Sequence, residues 1–375
     1  MPANTLFNWS AGELDLLRFP VPKDYSLQAF SAAEAYLLDH VAEKLPDARS
    51  PWVVNDAFGA LTLGLASRNP VWIGNNWSAR HAMEENARRN NLPEIHSIWQ
   101  DGDEWPSDPG FVALLIPKEL DLLDHLLSLI AKYAPVGTPV VACGMTRNIH
   151  MSTIRLFESY LGDVASSLAW KKARLITGAT VGEKTTELPV QTTYMDPRSG
   201  ATVVSLPGVF SADHPDPGSS LLAHSVPALN SGTAVLDLGC GNGYLLAVAG
   251  LKNDGLILYG CDDSRMAVNS TLQTLGNNGL NGDIRHGHAT ADFAEQSMDV
   301  VLCNPPFHQG HARHDQIAWD MFTGAKKVLR PDGVMYVVGN RNLGYHIQLG
   351  RLFRSVHVHA SDKTYTVFRC KKDGY

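Results

Sequence analysis

Two stretches of the chain share one outline, and that outline limits the fold more than anything else in the sequence. Ala234–Leu238 (AVLDL) is a short apolar run suited to a buried parallel strand. It leads into Gly239-Cys240-Gly241-Asn242-Gly243 and then apolar Tyr244–Ala249, which reads as strand, glycine turn, helix. Far upstream, Trp52–Asp56 (WVVND), Ala57-Phe58-Gly59-Ala60 and Leu61–Ala66 follow the same order. Laid against VLDLGCGNGYLL, VVNDAFGALTLG sets Asn55 opposite Asp237 and Gly59 opposite Gly241.

The parallel continues along both halves. Leu256–Cys261 is a strand ended by Asp262-Asp263-Ser264, and Arg265–Leu275 is a helix with Ser264 as its N-cap. Met298–Cys303 is a strand ended by Asn304-Pro305-Pro306-Phe307. Ile317–Leu329 reads as a helix, Pro331-Asp332-Gly333 as a turn and Val334–Val338 as a strand. In the first half, Val71–Gly74 leads to Asn75-Asn76, Phe111–Ile116 to Pro117-Lys118, and Val140–Gly144 mirrors Val334–Gly339. Strands alternating with helices give an α/β fold with mostly parallel sheets. The expectation is two tandem Rossmann-like domains, 1–188 and 189–375, which suits a chain of 375 residues. Phe7–Leu45 is an opening segment with an amphipathic helix around Leu27–Val41. Thr177–Ser211 reads as a connector plus an extension of the second domain, with weak strands at Thr192–Tyr194 and Ala201–Leu206.

Three classes of function drop out on composition. With 31 Lys+Arg against 38 Asp+Glu and a net charge of −7, general basicity does not hold this chain on nucleic acid, although local basic patches remain open. No apolar run approaches the ~18 residues of a membrane span, and Met1–Trp9 has no signal-peptide pattern, so the expected setting is the cytoplasm. The five scattered cysteines form no CxxC pair and the histidines no HExxH spacing, so neither a disulfide framework nor a metal site is expected.

Ligands of parallel sheets bind beyond the carboxyl ends of the strands, and the motifs cluster there. A glycine turn alone suits NAD, FAD or S-adenosyl-L-methionine. Here it is GxGxG rather than the dinucleotide GxGxxG, and Asp237 stands two residues before the first glycine. A carboxylate there repels a pyrophosphate but attracts the methionine ammonium of S-adenosyl-L-methionine. Asp262 ends the next strand, where it can accept both ribose hydroxyls, with Asp263 beside it. The expected cofactor residues are Asp237, Gly239, Cys240, Gly241, Asn242, Gly243, Asp262, Asp263 and His288. His288 reads either as an adenine contact or as a solvated loop histidine.

Asn304-Pro305-Pro306-Phe307 carries the expected chemistry. Two prolines remove backbone donors, so the strand end presents acceptors. The Asn304 side-chain oxygen and the Pro305 carbonyl can take both hydrogens of one planar NH2 and aim its lone pair at a methyl group. That is catalysis by positioning and electrostatics, without a strong base. Phe307 offers a stacking face for a flat base. His308 and His311 flank this loop, as ordinary loop histidines or as substrate contacts.

This set resembles the S-adenosylmethionine-dependent methyltransferases that modify exocyclic amines. Within them it is most similar to the bacterial ribosomal RNA guanine-N2 methyltransferases, in which a degenerate methyltransferase-like domain precedes an active one. The similarity rests on VVNDAFGAL (Val53–Leu61), LAWKKARLI (Leu168–Ile176), PGVFS (Pro207–Ser211), VLDLGCGNG (Val235–Gly243), LCNPPFHQGH (Leu302–His311) and GNRNLGYH (Gly339–His346). NDAFGAL and AWKKARLI point to the large-subunit branch. The resemblance implies two seven-stranded, mostly parallel sheets, the first degenerate and the second active. It implies methyl transfer to N2 of a guanine in 23S rRNA or a large-subunit precursor. One stretch departs: where the family runs R-x-G-L-D-x-G, this chain has Ala212-Asp213-His214-Pro215-Asp216-Pro217-Gly218.

A splayed guanine costs a few kcal/mol to unstack, which local contacts must offset. Arg341, Lys118, Lys171, Lys172 and Arg174 are the expected RNA contacts, with the first domain acting as a clamp and the chain as a monomer. The alternatives are another amine acceptor (adenine N6, a small-subunit guanine, a protein glutamine amide) and a non-catalytic RNA-binding assembly factor.

Overall fold

A computed structural model describes residues 5–21, 27–101, 104–182, 191–290, 293–306 and 312–372, with the backbone alone for 312–315. The chain divides into two compact units, Met1–Leu188 and Pro189–Tyr375.

The first unit opens with an antiparallel hairpin, β1 (Leu6–Trp9) and β2 (Gly12–Asp15), and a helix, α1 (Ala32–Lys44). A capping box holds the start of α1: Ser31 accepts from the Ala33 N–H, and Glu34 accepts from the Ser31 N–H. The expected helix at Leu27–Val41 therefore starts later and runs further. Next come β3 (Trp52–Val54), α2 (Ala60–Gly64), β4 (Val71–Gly74), α3 (Trp77–Arg89), β5 (His96–Trp99), β6 (Val112–Leu115), α4 (Leu120–Tyr133), β7 (Pro139–Met145), α5 (Met151–Tyr160), β8 (Leu161–Ser166) and β9 (Ala173–Thr180). They form a seven-stranded sheet in the order β5-β4-β3-β6-β7-β9-β8, parallel except where β9 joins β7 and β8. Thr177–Thr180, read above as connector, belongs to β9.

The second unit repeats this plan. A hairpin of β10 (Thr192–Met195) and β11 (Thr202–Ser205) precedes α6 (Pro217–Ser225). Then follow β12 (Ala234–Leu238), α7 (Tyr244–Lys252), β13 (Ile257–Asp262), α8 (Arg265–Asn277), β14 (Gly282–His286), β15 (Met298–Cys303), α9 (Ala312–Val328), β16 (Leu329–Asn340), α10 (Tyr345–Leu352), β17 (Ser355–Ser361) and β18 (Tyr365–Lys371). The sheet order, β14-β13-β12-β15-β16-β18-β17, matches the first unit strand for strand, and the only antiparallel pairs are again those of the last hairpin. The turn expected at Pro331–Gly333 is a bulge inside β16, because Met298 pairs with Leu329 and Val300 already with Val334.

Even the opening hairpins are built alike. Asn90 at the end of α3 exchanges hydrogen bonds with both the N–H and the C=O of Asp15, and Asn278 at the end of α8 does the same with Thr202. Apolar side chains from both faces of each sheet pack against the helices. Trp72 and Phe111 lie in the first unit, and Leu236 and Phe322 in the second, all fully buried.

Candidate functional site

The glycine turn of the second unit sits where β12 ends. Gly239, Gly241 and Gly243 have φ of +73°, +55° and +78°, a region that glycine enters without strain. The Gly239 N–H donates to the Cys261 carbonyl (2.8 Å) and ties the turn to β13. A Cβ on Gly241 would meet nothing within 4 Å, whereas one on Gly243 would lie 2.9 Å from the Thr271 Cα in α8. Gly241 therefore borders open space, and Gly243 serves the packing of the turn on α8.

These elements wall a cavity of about 420 Å³, within the range of small-molecule sites. Its lining includes Asp237, Gly239, Cys240, Gly241, Asn242, Asp262, Asp263, His288, Asn304, Pro305 and Pro306. Gly243 is not on the wall, in contrast to its expected role, because its turn faces α8. Phe307 lies outside the described residues, as do His308 and His311.

Asp237 is buried at 1% exposure, and neither carboxylate oxygen has a hydrogen-bond partner. Burial, helped by the Asp262 charge, pushes its carboxyl well above the usual range. An orphaned buried carboxylate on a cavity wall calls for a cationic ligand. Asp262 accepts from the Gly241 N–H (3.0 Å) and the Ser264 N–H (2.8 Å), yet burial still lifts it to about 6. Asn242 acts as a brace: its amide donates to Ser205 Oγ and the Ser211 carbonyl, and its oxygen accepts from the Tyr244 N–H. His288 faces Asp320, with Nε2 3.4 Å from Oδ2. All five cysteines are buried as free thiols, and burial raises those of Cys240 and Cys303 well above the ordinary thiol range.

Asn304 leaves β15 with its amide nitrogen held twice. Nδ2 donates to Ser219 Oγ (2.6 Å) and to Asp216 Oδ2 (3.1 Å), while the buried Oδ1 has no partner. Sequence reasoning gave Asp216 no role, and expected Gly218 with Ser219-Ser220 to keep the contact that this loop makes toward the cofactor; both Asp216 and Ser219 line the cavity. The available signal was an Asp followed by Pro at the start of an apolar helix, and indeed Asp216 caps α6 through the Ser219 N–H (2.8 Å). Tyr194 and Met321 also line the cavity and carried no sequence signal, and so does Phe210, which lies in the PGVFS segment of the family resemblance.

The first unit keeps the shape of this region and changes its chemistry. The Asn55 backbone N–H donates to the Ile73 carbonyl (2.9 Å) at φ +63°, as the Gly239 N–H does to the Cys261 carbonyl at φ +73°. Gly59 caps α2 at φ +88°, as Gly243 caps α7. The two copies thus align Asn55 with Gly239 and Gly59 with Gly243, shifted by two from the sequence pairing. Val53 then stands where Asp237 does. Because Asn76 and Ser264 both cap the next helices, Gly74 stands where Asp262 does. The Asp56 carboxylate turns onto the loop itself, accepting from the Gly59 and Thr62 N–H groups and the Thr62 hydroxyl.

None of the expected RNA contacts is among the lining residues of this cavity. Lys118 is exposed just after β6. Lys171 and Lys172 are exposed in the β8–β9 turn with positive φ, and Lys171 lies over the Trp170 ring. Arg174, in β9, is half-buried. Arg341 follows β16 and donates to the Asp362 carbonyl (3.0 Å).

Comparison with known proteins places this geometry. Residues 4–182 match the family described as RLMG N-terminal domain, and residues 200–369 the family described as Methyltransferase small domain. A Ribosomal RNA large subunit methyltransferase G from Vibrio parahaemolyticus is 35% identical, covering 98% of this chain and 97% of its own length. One from Streptomyces coelicolor is 38% identical, covering 96% and 99%. Among solved structures, a T. thermophilus 16S rRNA N2 methyltransferase in complex with AdoMet and guanosine has the same fold, with a TM-score of 0.79, 20% identity and coverage of 98% and 97%. The identity to large-subunit enzymes runs through both units, and the chain belongs to the ribosomal RNA large subunit methyltransferase G family.

Proposed function

We propose that the second unit methylates the exocyclic N2 amine of a guanine in large-subunit rRNA, using S-adenosyl-L-methionine. The observation that carries this reading is Asn304: a buried amide oxygen without a partner, on the wall of a cavity that also holds two protonation-prone carboxyls. The cofactor, when bound, supplies an electrophilic methyl on a sulfonium. Asp237 pairs with its ammonium, Asp262 accepts the ribose hydroxyls, and Gly241 leaves room for its backbone-close approach. Asn304 Oδ1 and the Pro305 carbonyl accept the two N–H groups of the guanine amine and hold its lone pair in line. With the cofactor bound, a carbon–nitrogen bond would form at this amine as the carbon–sulfur bond broke, the thioether leaving with the electron pair. The methylated amine then sheds one proton to water.

The first unit, with Val53 and Gly74 in place of the two acids, binds no cofactor and serves as an RNA clamp. Lys118, Lys171, Lys172 and Arg174 supply its contacts, and Arg341 those beside the reaction centre. Among the described residues no helix is long and apolar enough to cross a membrane. The chain works as a monomer in the cytoplasm on naked 23S rRNA or on a precursor particle.

Labelled cofactor offered with rRNA from a strain lacking this enzyme, free and in subunits, tests the proposal. Label should map to one guanine of the large-subunit RNA; label on protein or on small-subunit RNA alone overturns it. Asn304→Ala should cut kcat by about a hundredfold or more, the scale of losing one transition-state hydrogen bond. Its cofactor affinity, by calorimetry, should stay near wild type.

A further inference from the structure

The first turn of α6 lies within hydrogen-bonding reach of the acceptor site. We propose that Asp216, Gly218 and Ser219 are positioning residues that set the direction and strength of the Asn304 side-chain oxygen. The inference rests on the reading of Asn304 as the amine acceptor.

An asparagine amide has two ends of nearly equal shape, and half a turn about its last bond exchanges them. Only one orientation is useful, since an NH2 facing the cavity would repel a donor amine. A hydroxyl partner does not choose between the ends, because it both donates and accepts. An ionised carboxylate does choose, because it only accepts. Asp216 Oδ2 lies 3.1 Å from Asn304 Nδ2, so the NH2 is held toward α6, which leaves Oδ1, buried and without a partner, as the end of this cavity-lining side chain that is open to a donor. Ser219 Oγ, at 2.6 Å, takes the second amide hydrogen. The bond to a charged acceptor also draws electron density through the amide toward Oδ1, which strengthens it as an acceptor.

The rest of the segment keeps that carboxylate in place. The Ser219 N–H donates to the same Asp216 oxygen at 2.8 Å, and Pro217 occupies the first position of the helix. A Cβ on Gly218 would lie 3.1 Å from Asp216 Oδ2 and 3.2 Å from the Tyr365 ring. Any side chain at 218 therefore presses on the oxygen that holds Asn304. Asp216, Gly218 and Ser219 thus act as one unit.

The test uses the full chain, large-subunit rRNA, steady-state kinetics and cofactor affinity by calorimetry. Ser219→Ala and Asp216→Ala should each lower kcat by about ten- to a hundredfold, the usual consequence of a misplaced reacting group. KM for RNA and cofactor affinity should stay near wild type. Ser219→Thr, which keeps the hydroxyl, should restore most of kcat, and Gly218→Ala should behave like Ser219→Ala. Asn304→Asp sets two carboxylates together and should be inactive. Adding Asp216→Asn, whose amide donates to the carboxylate at 304, should recover activity at least about tenfold, as complementary pairs do in coupled cycles. If Asp216→Ala does not fold, Ser219→Ala and the paired variant still decide. Wild-type kcat in Ser219→Ala, or no recovery in the pair, overturns the positioning role while an inactive Asn304→Ala leaves the acceptor reading standing. A fully active Asn304→Ala overturns that reading and this one together.

Discussion

Asp262 receives two backbone N–H donors, yet its carboxyl titrates near 6, well above its ordinary 3.8. The folded protein therefore keeps a proton that the unfolded chain has already lost. Its contribution to stability is complete below 3.8 and disappears as pH rises through about 6. A shift of about two pH units corresponds to at most about 3 kcal/mol. Urea unfolding of the cofactor-free protein should show that loss across the acid range, and Asp262→Asn should flatten it. Binding runs the other way. In the proposed role of Asp262 the ribose hydroxyls need the ionised form, so cofactor affinity should weaken toward tenfold per pH unit below about 6. The glycines beside it divide by role. Gly243→Ala combines left-handed strain with a clash against the Thr271 backbone at 2.9 Å and should cost about 2 kcal/mol or more. Gly241→Ala meets open space, so it should cost about 1 kcal/mol from strain alone while weakening cofactor binding. Melting curves with and without cofactor separate the two.

At the level of elements, the two hairpins hang on equivalent asparagines. Asn90→Ala strips Asp15 of both backbone partners, and Asn278→Ala does so for Thr202. Each should cost about 1 kcal/mol in denaturant unfolding, since the bonds lost are only part-buried. A large difference between them would mean the hairpins are not equivalent. The strands with continuous apolar runs, β12, β13 and β15, were legible from sequence, as were the motifs at their carboxyl ends. The reversed hairpins were not. Ser355–Ser361 (SVHVHAS) and Leu161–Ser166 (LGDVAS) are half-exposed edge strands with little apolar signal. The repeat was legible but its register was not, because an asparagine, Asn55, takes the left-handed position that a glycine takes in the second copy. Asp237, Asp262 and Asn304 could be placed at the strand ends from sequence, and all three line one cavity. Their support could not be so placed, since Asp216 reaches Asn304 across 88 residues of chain. Proximity of that kind is a product of topology alone.

The whole molecule is one topology used twice, with the acids of the site in one copy only. Each unit has its own core, and the free cysteines are divided between them: Cys143 in the first, Cys240, Cys261, Cys303 and Cys370 in the second, all at 4% exposure or less. A thiol so buried reacts with an alkylating reagent only while its surroundings are open. The chain thus carries a clock in each unit, and mass spectrometry after pulsed alkylation can read both from one sample. Saturating cofactor should slow labelling of Cys240 and Cys261, which wall its cavity, and leave the rate at Cys143 unchanged. Equal slowing at Cys143 would show that the two copies open together, and the lost site would then still be feeling the occupied one.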